Sequence, residues 1–203
     1  MNEHILRAHP DLPGVTQAAE GMPRRAWTVA EIEAMIEAGI IDGDERFELI
    51  GGEVVPMSPK GARHEMVKIE LNEHLQKTKA ADFRIGQETT LRLDEKSFVE
   101  PDFCVFPRSI APGDMRGYDV LLAIEIADTS LRYDLGRKIG TYAAYGIPEV
   151  WVINALTLVT RVHSQLGAEG YRNVVELGPD ETMTSARVPS VSMSLSALGL
   201  RPV

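Results

Sequence analysis

The sequence predicts an α/β fold with a central mixed β-sheet and helices on both faces of the sheet. Residues 101–106 and 120–127 are apolar at consecutive positions, as in strands that are covered on both faces. A helical segment and a third apolar strand come next, which makes a βαβ unit. The chain has 203 residues. A chain of this size suits one domain and buries roughly 70% of its unfolded surface.

The chain begins with a segment that has no regular apolar period. Residues 1–26 contain scattered proline and glycine, and we expect them to form a flexible arm ahead of a single domain over 27–203. Thr28 and Glu31 have the spacing of a capping box, in which each side chain bonds a backbone N–H of the other residue. A short helix is therefore predicted to start at this point.

A hairpin and a longer helix are predicted next. Two strand-like runs, 47–50 and 53–57, are separated by the pair Gly51-Gly52, a strong turn signal. We expect this hairpin to add edge strands to the sheet. Apolar residues then recur with helical spacing over 62–78.

The second half of the chain is predicted to be mostly strand. The expected elements are strands over 83–93, 101–106, 120–127 and 150–154, with a helix over 131–145. Short β-like pieces at 158–163 and 171–177 alternate with turns. They predict an antiparallel extension at an edge of the sheet.

Charge alone does not decide the class of partner. The chain has 21 Lys and Arg against 30 Asp and Glu, a formal net charge of −9. Acids are concentrated over 28–56, whereas 60–79 has a small excess of bases, so nucleic-acid binding is neither supported nor excluded. A substrate less negative than DNA is also compatible with this charge.

Other features exclude several classes of protein. The single cysteine, Cys104, cannot form an internal disulfide and has no second cysteine for a zinc or redox motif. No apolar run approaches the ~20 residues that a membrane span requires. The first residues lack the apolar core of a signal peptide. We therefore expect a cytoplasmic protein that does not bind membranes.

Two acids lie inside apolar strands. Asp102 precedes the run FCVF, and Glu125 lies within LLAIEIA. Burying a carboxylate is costly unless a cation or hydrogen-bond donors compensate it. If the strands are neighbours, both carboxylates can face one point and hold a divalent metal there. Alternatively, each carboxylate caps a loop or pairs with an arginine such as Arg116 or Arg132.

The helix after Glu125 contributes a lysine. Lys138 follows Asp134 by four residues, a spacing usually explained by an exposed ion pair. The apolar residues Leu135 and Ile139 adjoin them, which favours a position near the boundary of the sheet. Lys138 could then reach the strand ends, with Asp134 as an accessory residue.

Three further polar residues are candidates for the same site. Glu48 alternates with apolar residues in a predicted strand. His64 lies in the first turn of the second helix, where a lone histidine is more often structural than a ligand. Gln87 falls in mid-strand and is uninformative by itself, so we assign it only an accessory role.

The segments that carry these residues resemble one known family. They are RFELIGGEVVPMSPKGARHEMV, PDFCVF and LLAIEIADTSLRYDLGRKIGTYAAYGIPEVWVIN, within residues 28–154. Together they resemble the Uma-type restriction endonucleases, a branch of the PD-(D/E)XK nuclease superfamily. The third segment is the most specific, because it joins an acidic strand, a D-x-x-x-K helix and a G-I-P-E-V-W strand. The resemblance implies a restriction-endonuclease-like core.

The resemblance also implies a metal site. In such nucleases the Asp of PD and the Glu of the next strand bind Mg²⁺ or Mn²⁺, which corresponds here to Asp102 and Glu125. The carbonyl of Ile126 would be a further ligand. Glu48 would be an outer acid of the site, and His64 an accessory residue.

One position departs from the superfamily pattern. The plain pattern has a lysine two residues after the Glu, where this chain has Ala127. In the Uma-type branch a lysine from the next helix replaces it, and Lys138 matches that position. Lys138 would orient or deprotonate the attacking water, or neutralise the scissile phosphate.

The favoured function is a metal-dependent endonuclease that hydrolyses phosphodiester bonds of DNA. The resemblance also suggests a homodimer, because related nucleases often cut two strands as pairs. Two alternatives remain: a catalytically silent binding or dimerisation module, and a metal-dependent hydrolase with a substrate other than DNA. The completeness of Asp102, Glu125 and Lys138 favours an enzyme.

Overall fold

The computed structural model describes residues 24–128 and 133–203. Almost all of the predicted arm over 1–26 lies outside these residues. The helices are α1 (Val29–Glu37), α2 (Ala62–Thr78) and α3 (Ile139–Ala144), the last preceded by a π-helical turn at Asp134–Lys138. The strands are β1 (Phe47–Ile50), β2 (Glu53–Pro56), β3 (Phe83–Gln87), β4 (Leu91–Asp94), β5 (Ser97–Val99), β6 (Phe103–Pro107), β7 (Leu122–Ala127), β8 (Val150–Asn154), β9 (Thr160–Gly167), β10 (Gly170–Leu177), β11 (Met183–Thr184) and β12 (Ser192–Met193).

A six-stranded mixed sheet forms the centre of the fold. Its strand order is β10-β9-β8-β7-β6-β3, with β7 and β8 parallel and the other neighbours antiparallel. The predicted α/β fold with a central mixed sheet is confirmed. The predicted antiparallel extension corresponds to β9 and β10, and β10 forms one edge of the sheet.

The predicted hairpin does not join this sheet. Strands β1 and β2 belong to a separate four-stranded sheet of order β2-β1-β5-β4, so the expectation of edge strands was wrong. Its position follows from the pairing and packing of β1, whose Leu49 pairs with Phe98 of β5 and packs with Ile32 of α1. The turn is also fixed to β5, since the Ser97 hydroxyl accepts a hydrogen bond from the Gly51 N–H.

The predicted strand over 83–93 is divided between the two sheets. β3 is an edge of the central sheet and β4 is an edge of the smaller one. Glu88, just after β3, has a left-handed backbone conformation with φ of 46°. Its N–H donates to the Asp102 carbonyl at 3.2 Å, and this bend separates β3 from β4.

Apolar side chains cover both faces of the central sheet. Leu71 and Leu75 of α2 pack with Phe103, Ile124 and Trp151 on one face. The other face packs against the region of α3 through residues that include Cys104, Ala123, Tyr142 and Val152. Within the described residues no helix is long and apolar enough to span a membrane.

The C-terminal segment is fastened to the sheet by a buried acid. Glu149, which precedes β8, is 2% exposed. One carboxylate oxygen accepts a hydrogen bond from the Trp151 indole at 2.8 Å. The other accepts from the Ser185 hydroxyl and the Ala186 N–H, both at 3.0 Å, and from the Arg187 N–H at 3.4 Å. We call this group of contacts the Glu149 latch.

Candidate active site

Strands β6 and β7 bring two carboxylates to one cavity. Phe103 pairs with Ile124 in the antiparallel register. Extending this register by one residue sets Asp102 opposite Glu125. The cavity has a volume of about 350 Å³. Its polar and charged lining comprises Glu48, Ser58, Lys60, His64, Glu100, Asp102, Glu125, Asp128, Tyr133, Asp134 and Lys138.

Asp102 is buried but well supplied with donors. Its Oδ1 lies 2.5 Å from the Lys60 ammonium, and its Oδ2 accepts a hydrogen bond from the Ile126 N–H at 2.7 Å. The His64 Nε2 lies 3.1 Å from Oδ1. Burial alone would raise the pKa of Asp102, but His64 and Lys60 outweigh it and lower the pKa to about 2. Asp102 is therefore ionised.

Glu125 has fewer compensating groups. Its Oε1 lies 3.0 Å from the Lys138 ammonium and accepts a hydrogen bond from the Tyr142 hydroxyl. Burial raises the pKa of Glu125 to about 8; Lys138 opposes this, while Asp102, Asp134 and Glu48 add to it. The acids around Glu125 therefore outnumber its one ammonium, and Glu125 keeps its proton near neutral pH.

Lys138 lies between two acids. Its ammonium is 2.9 Å from the Glu48 Oε1 and 3.0 Å from the Glu125 Oε1. Glu48 is held in place by the Glu100 N–H at 2.9 Å and the Tyr133 hydroxyl at 3.1 Å. Burial would lower the pKa of Lys138, but the surrounding carboxylates raise it well above its ordinary value. Lys138 is therefore a permanent cation.

Comparison with known proteins gives the family of this chain and a similar solved structure. A model of the Uma2 family, described as "Putative restriction endonuclease", matches residues 29–197. The chain belongs to the Uma2 family. One similar solved structure is a putative nuclease belonging to DUF820 from Anabaena variabilis ATCC 29413. It has a TM-score of 0.63 and 15% identity over 84% of this chain and 96% of that one, which shows a shared fold. The search of curated proteins found no match.

Most of the predicted site residues lie together in this Uma2 protein. Asp102, Glu125, Glu48 and Lys138 line one cavity, and Ile126 contributes its N–H to Asp102. Two of the three predicted accessory residues, His64 and Asp134, also line this cavity. The usual interpretation of Asp134 and Lys138, an exposed ion pair, does not apply because each is only 4% exposed.

Gln87 is the exception among the predicted residues. It is exposed and lines a different cleft. The bend at Glu88 explains this, because it turns the Glu88 carboxylate and not the Gln87 amide toward the active-site cavity. The Glu88 Oε1 contacts the Lys60 and Lys68 ammonium groups.

The sequence did not predict Lys60. Its ammonium bridges Asp102 and Glu88, and its side chain is only 14% exposed. The residue lies in the loop before α2, where no periodic pattern indicates the direction of a side chain. Burial would lower the pKa of Lys60, but Asp102 and Glu88 raise it. The predicted arginine partner Arg116 instead donates to the Met115 carbonyl, and Arg132 lies outside the described residues.

The donor set of the cavity fits a hard divalent cation. Within the described residues, no three His, Cys, Asp or Glu side chains converge closely enough to hold a metal by themselves. Mg²⁺ needs fewer protein side chains than three, because it binds one or two carboxylates and keeps several waters as ligands. Asp102 and Glu125 supply two carboxylates. The Lys60 ammonium lies beside Asp102, which shows that this position favours a cation.

Proposed function

We propose that this protein is a metal-dependent endonuclease that hydrolyses phosphodiester bonds of DNA. The observation that carries the proposal is the position of Lys138, which contacts Glu125 and Glu48 in the cavity that Asp102 also lines. Membership of the Uma2 family, described as "Putative restriction endonuclease", supports the same reaction class.

Asp102 and Glu125 are proposed to hold Mg²⁺ or Mn²⁺ together with the carbonyl of Ile126. A bound divalent ion supplies an activated water and offsets charge on the phosphoryl oxygens. Asp102 is ready for this role because it is ionised near neutral pH. Glu125 must lose its proton when the ion binds, and the surrounding acids then favour the added positive charge.

Lys138 is proposed to act as a fixed positive charge. Its raised pKa makes it a poor proton acceptor, so it orients the attacking water or stabilises charge on the scissile phosphate. A compact ammonium suits this task. Glu48 acts as a positioning residue, since it holds Lys138 and is itself held by Tyr133. We also propose that the protein acts in the cytoplasm as a homodimer.

The proposal is tested by incubating supercoiled plasmid, single-stranded DNA and RNA with the protein in Mg²⁺, Mn²⁺ or EDTA. We expect DNA cleavage with either metal and none in EDTA. Lys138→Met and Asp102→Asn should each lower the rate at least about 10² to 10³-fold, the usual cost of removing one transition-state contact.

The matched control is Lys77→Met, which removes an exposed lysine paired with Glu73 at 3.0 Å. It should cleave at the wild-type rate. Cleavage that persists in EDTA, or that is unchanged in Lys138→Met and Asp102→Asn, would contradict the proposed site. Cleavage of RNA but not DNA would contradict the proposed substrate.

A further inference from the structure

A second cavity lies along β3, the edge strand of the central sheet. It has a volume of about 350 Å³. We call it the β3 cleft and define it by its polar lining, namely Gln76, Lys79, Arg84, Gln87, Thr89 and Arg108. The α2 helix contributes Gln76, and β3 contributes Arg84 and Gln87. None of these residues lines the active-site cavity.

Within residues 24–128 and 133–203, the cations of the β3 cleft have no acidic partner. Arg84 donates to the Arg108 carbonyl, and Lys79 donates to the carbonyl and side-chain oxygens of Gln76. The Arg108 guanidinium donates to the carbonyls of Ala81 and Phe83. Among the described residues, no carboxylate forms an ion pair with Lys79, Arg84 or Arg108.

This arrangement contrasts with the active-site cavity, where Lys60 and Lys138 each contact two carboxylates. The described residues that line the β3 cleft include no acid. Asp82 and Asp114 are near it in sequence but do not line it. Three clustered cations that are offset only by neutral oxygens, in a chain of net charge −9, favour an anionic ligand.

The neutral groups of the cleft suit phosphate oxygens in particular. Protein contacts to a nucleic-acid backbone come from Arg and Lys and from neutral donors such as Gln and Thr. The cleft presents both kinds of group, since Gln76, Gln87 and Thr89 adjoin the three cations. An extended strand of phosphodiesters can contact such a row of donors one after another.

The β3 cleft also leads toward the active site. β3 ends at Gln87, and the next residue, Glu88, contacts Lys60, which contacts Asp102. Arg84 precedes Glu88 by four residues, a span of roughly 13 Å along a strand. One DNA strand presents a phosphate about every 3.4 Å along the helix axis, so this span covers about four nucleotides.

We propose that the β3 cleft binds backbone phosphates of a DNA strand a few nucleotides from the scissile phosphate. The inference rests on the proposed function, because that function supplies the DNA and the direction of the strand. It assigns Arg84 and Lys79 to substrate binding and not to the chemical step. It also gives Gln87 a role outside the metal site.

The test uses the variant Lys79→Gln/Arg84→Gln. Arg108 is left intact because its guanidinium holds two backbone carbonyls. The matched control is Lys96→Gln/Arg172→Gln, which makes the same change in charge at two exposed residues outside the cleft. Arg172 lies on β10, at the opposite edge of the central sheet. Binding of a fluorescent DNA duplex is measured by anisotropy with Ca²⁺ in place of Mg²⁺, over a series of salt concentrations.

We expect wild-type protein and the control to bind with the same dependence on salt. In the cleft variant, the slope of log K against log[salt] should fall in magnitude by about 1.8, or about 0.9 for each lost phosphate contact. Affinity at low salt should fall at least about tenfold. Equal slopes for the cleft variant and the control would overturn the inference, as would wild-type protein that binds no DNA.

The result is independent of cleavage. Suppose that the salt dependence of DNA binding falls in the cleft variant as expected, while wild-type protein cleaves nothing in Mg²⁺ or Mn²⁺. The proposed nuclease activity is then contradicted, whereas DNA binding by the β3 cleft is supported. If wild-type protein cleaves DNA while the cleft variant binds DNA like the control, the proposed nuclease activity is supported and DNA binding by the β3 cleft is contradicted.

Discussion

Two buried glutamates on neighbouring strands differ in what surrounds them. Glu125 of β7 is 3% exposed, and Glu149, just before β8, is 2% exposed. Glu149 accepts hydrogen bonds from an indole, a hydroxyl and two backbone N–H groups, all neutral. Glu125 instead shares one lysine with Glu48, beside a cavity that Asp102 also lines.

The difference teaches that burial alone does not identify a functional acid. The Glu149 carboxylate has donors on both oxygens, and these donors attach residues 185–187 to the sheet. Glu125 lies among acids that one lysine does not balance, at the wall of an open cavity. The first environment stabilises the fold, whereas the second favours a bound cation.

The largest effect is expected from Glu125→Gln. This change preserves the shape of the side chain but removes the charge that would bind the metal. We expect DNA cleavage to fall at least about 10² to 10³-fold, measured as the initial rate of plasmid nicking. The parallel change Glu149→Gln should leave the rate per folded molecule unchanged. Equal losses of activity in the two variants would remove the distinction between the two acids.

Glu149→Gln is expected to affect stability instead. A glutamine amide would direct N–H donors at groups that are themselves donors. The free energy of unfolding should therefore fall by about 2 kcal/mol, the scale of a charged hydrogen bond. Urea unfolding in EDTA measures this free energy. Glu125→Gln should change it by less than about 1 kcal/mol, since Lys138 keeps Glu48 as a partner. A larger loss for Glu125→Gln than for Glu149→Gln would reverse the comparison.

Lys60→Met sharpens the account of the metal site. The Lys60 ammonium competes with any other cation at Asp102, so its removal should tighten Mn²⁺ binding about tenfold, a modest Coulomb effect at short range. Calorimetric titration with Mn²⁺ measures the affinity. Lys77→Met serves as the control, because it removes the same charge from an exposed position. Unchanged or weaker binding in Lys60→Met would show that Lys60 does not compete with the ion.

The smallest effect concerns the strand beside the Glu149 latch. His163 of β9 pairs with Val150, and burial, with a contribution from Arg161, lowers its pKa. A histidine whose pKa is lower when folded stabilises the fold above its unfolded pKa of about 6.5 and loses that contribution as pH falls. We expect unfolding in urea to become easier from pH 7 to pH 5. The fall in the free energy of unfolding between pH 7 and pH 5 should be smaller in His163→Gln. An equal fall in this variant would contradict the assignment of the pH dependence to His163.

The sequence predicted the central sheet because its inner strands are apolar on both faces, a pattern that local residues determine. Asp102 and Glu125 were predictable for the same reason, since an acid in such a strand has to be compensated. Which of the two sheets includes the hairpin was not predictable, because this depends on how Leu49 packs with α1 and pairs with β5.

Other parts of the site depend on loop geometry that has no periodic signal. The left-handed backbone at Glu88 decides that Glu88 and not Gln87 turns toward the active-site cavity. Lys60 reaches Asp102 from a loop. The role of Glu149 depends on where residues 185–187 fold back, which is a contact between distant parts of the chain.

The most direct test is the anomalous diffraction of a crystal grown with Mn²⁺. Asp102 and Glu125 are predicted to share one ion, so a peak should lie about 2.0 to 2.3 Å from a carboxylate oxygen of each residue, near the spacing of hard divalent ions in proteins. The Lys60 ammonium should have moved away from Asp102. A fully loaded crystal with no peak between these two carboxylates, or with Lys60 still on Asp102, would contradict the metal-dependent account.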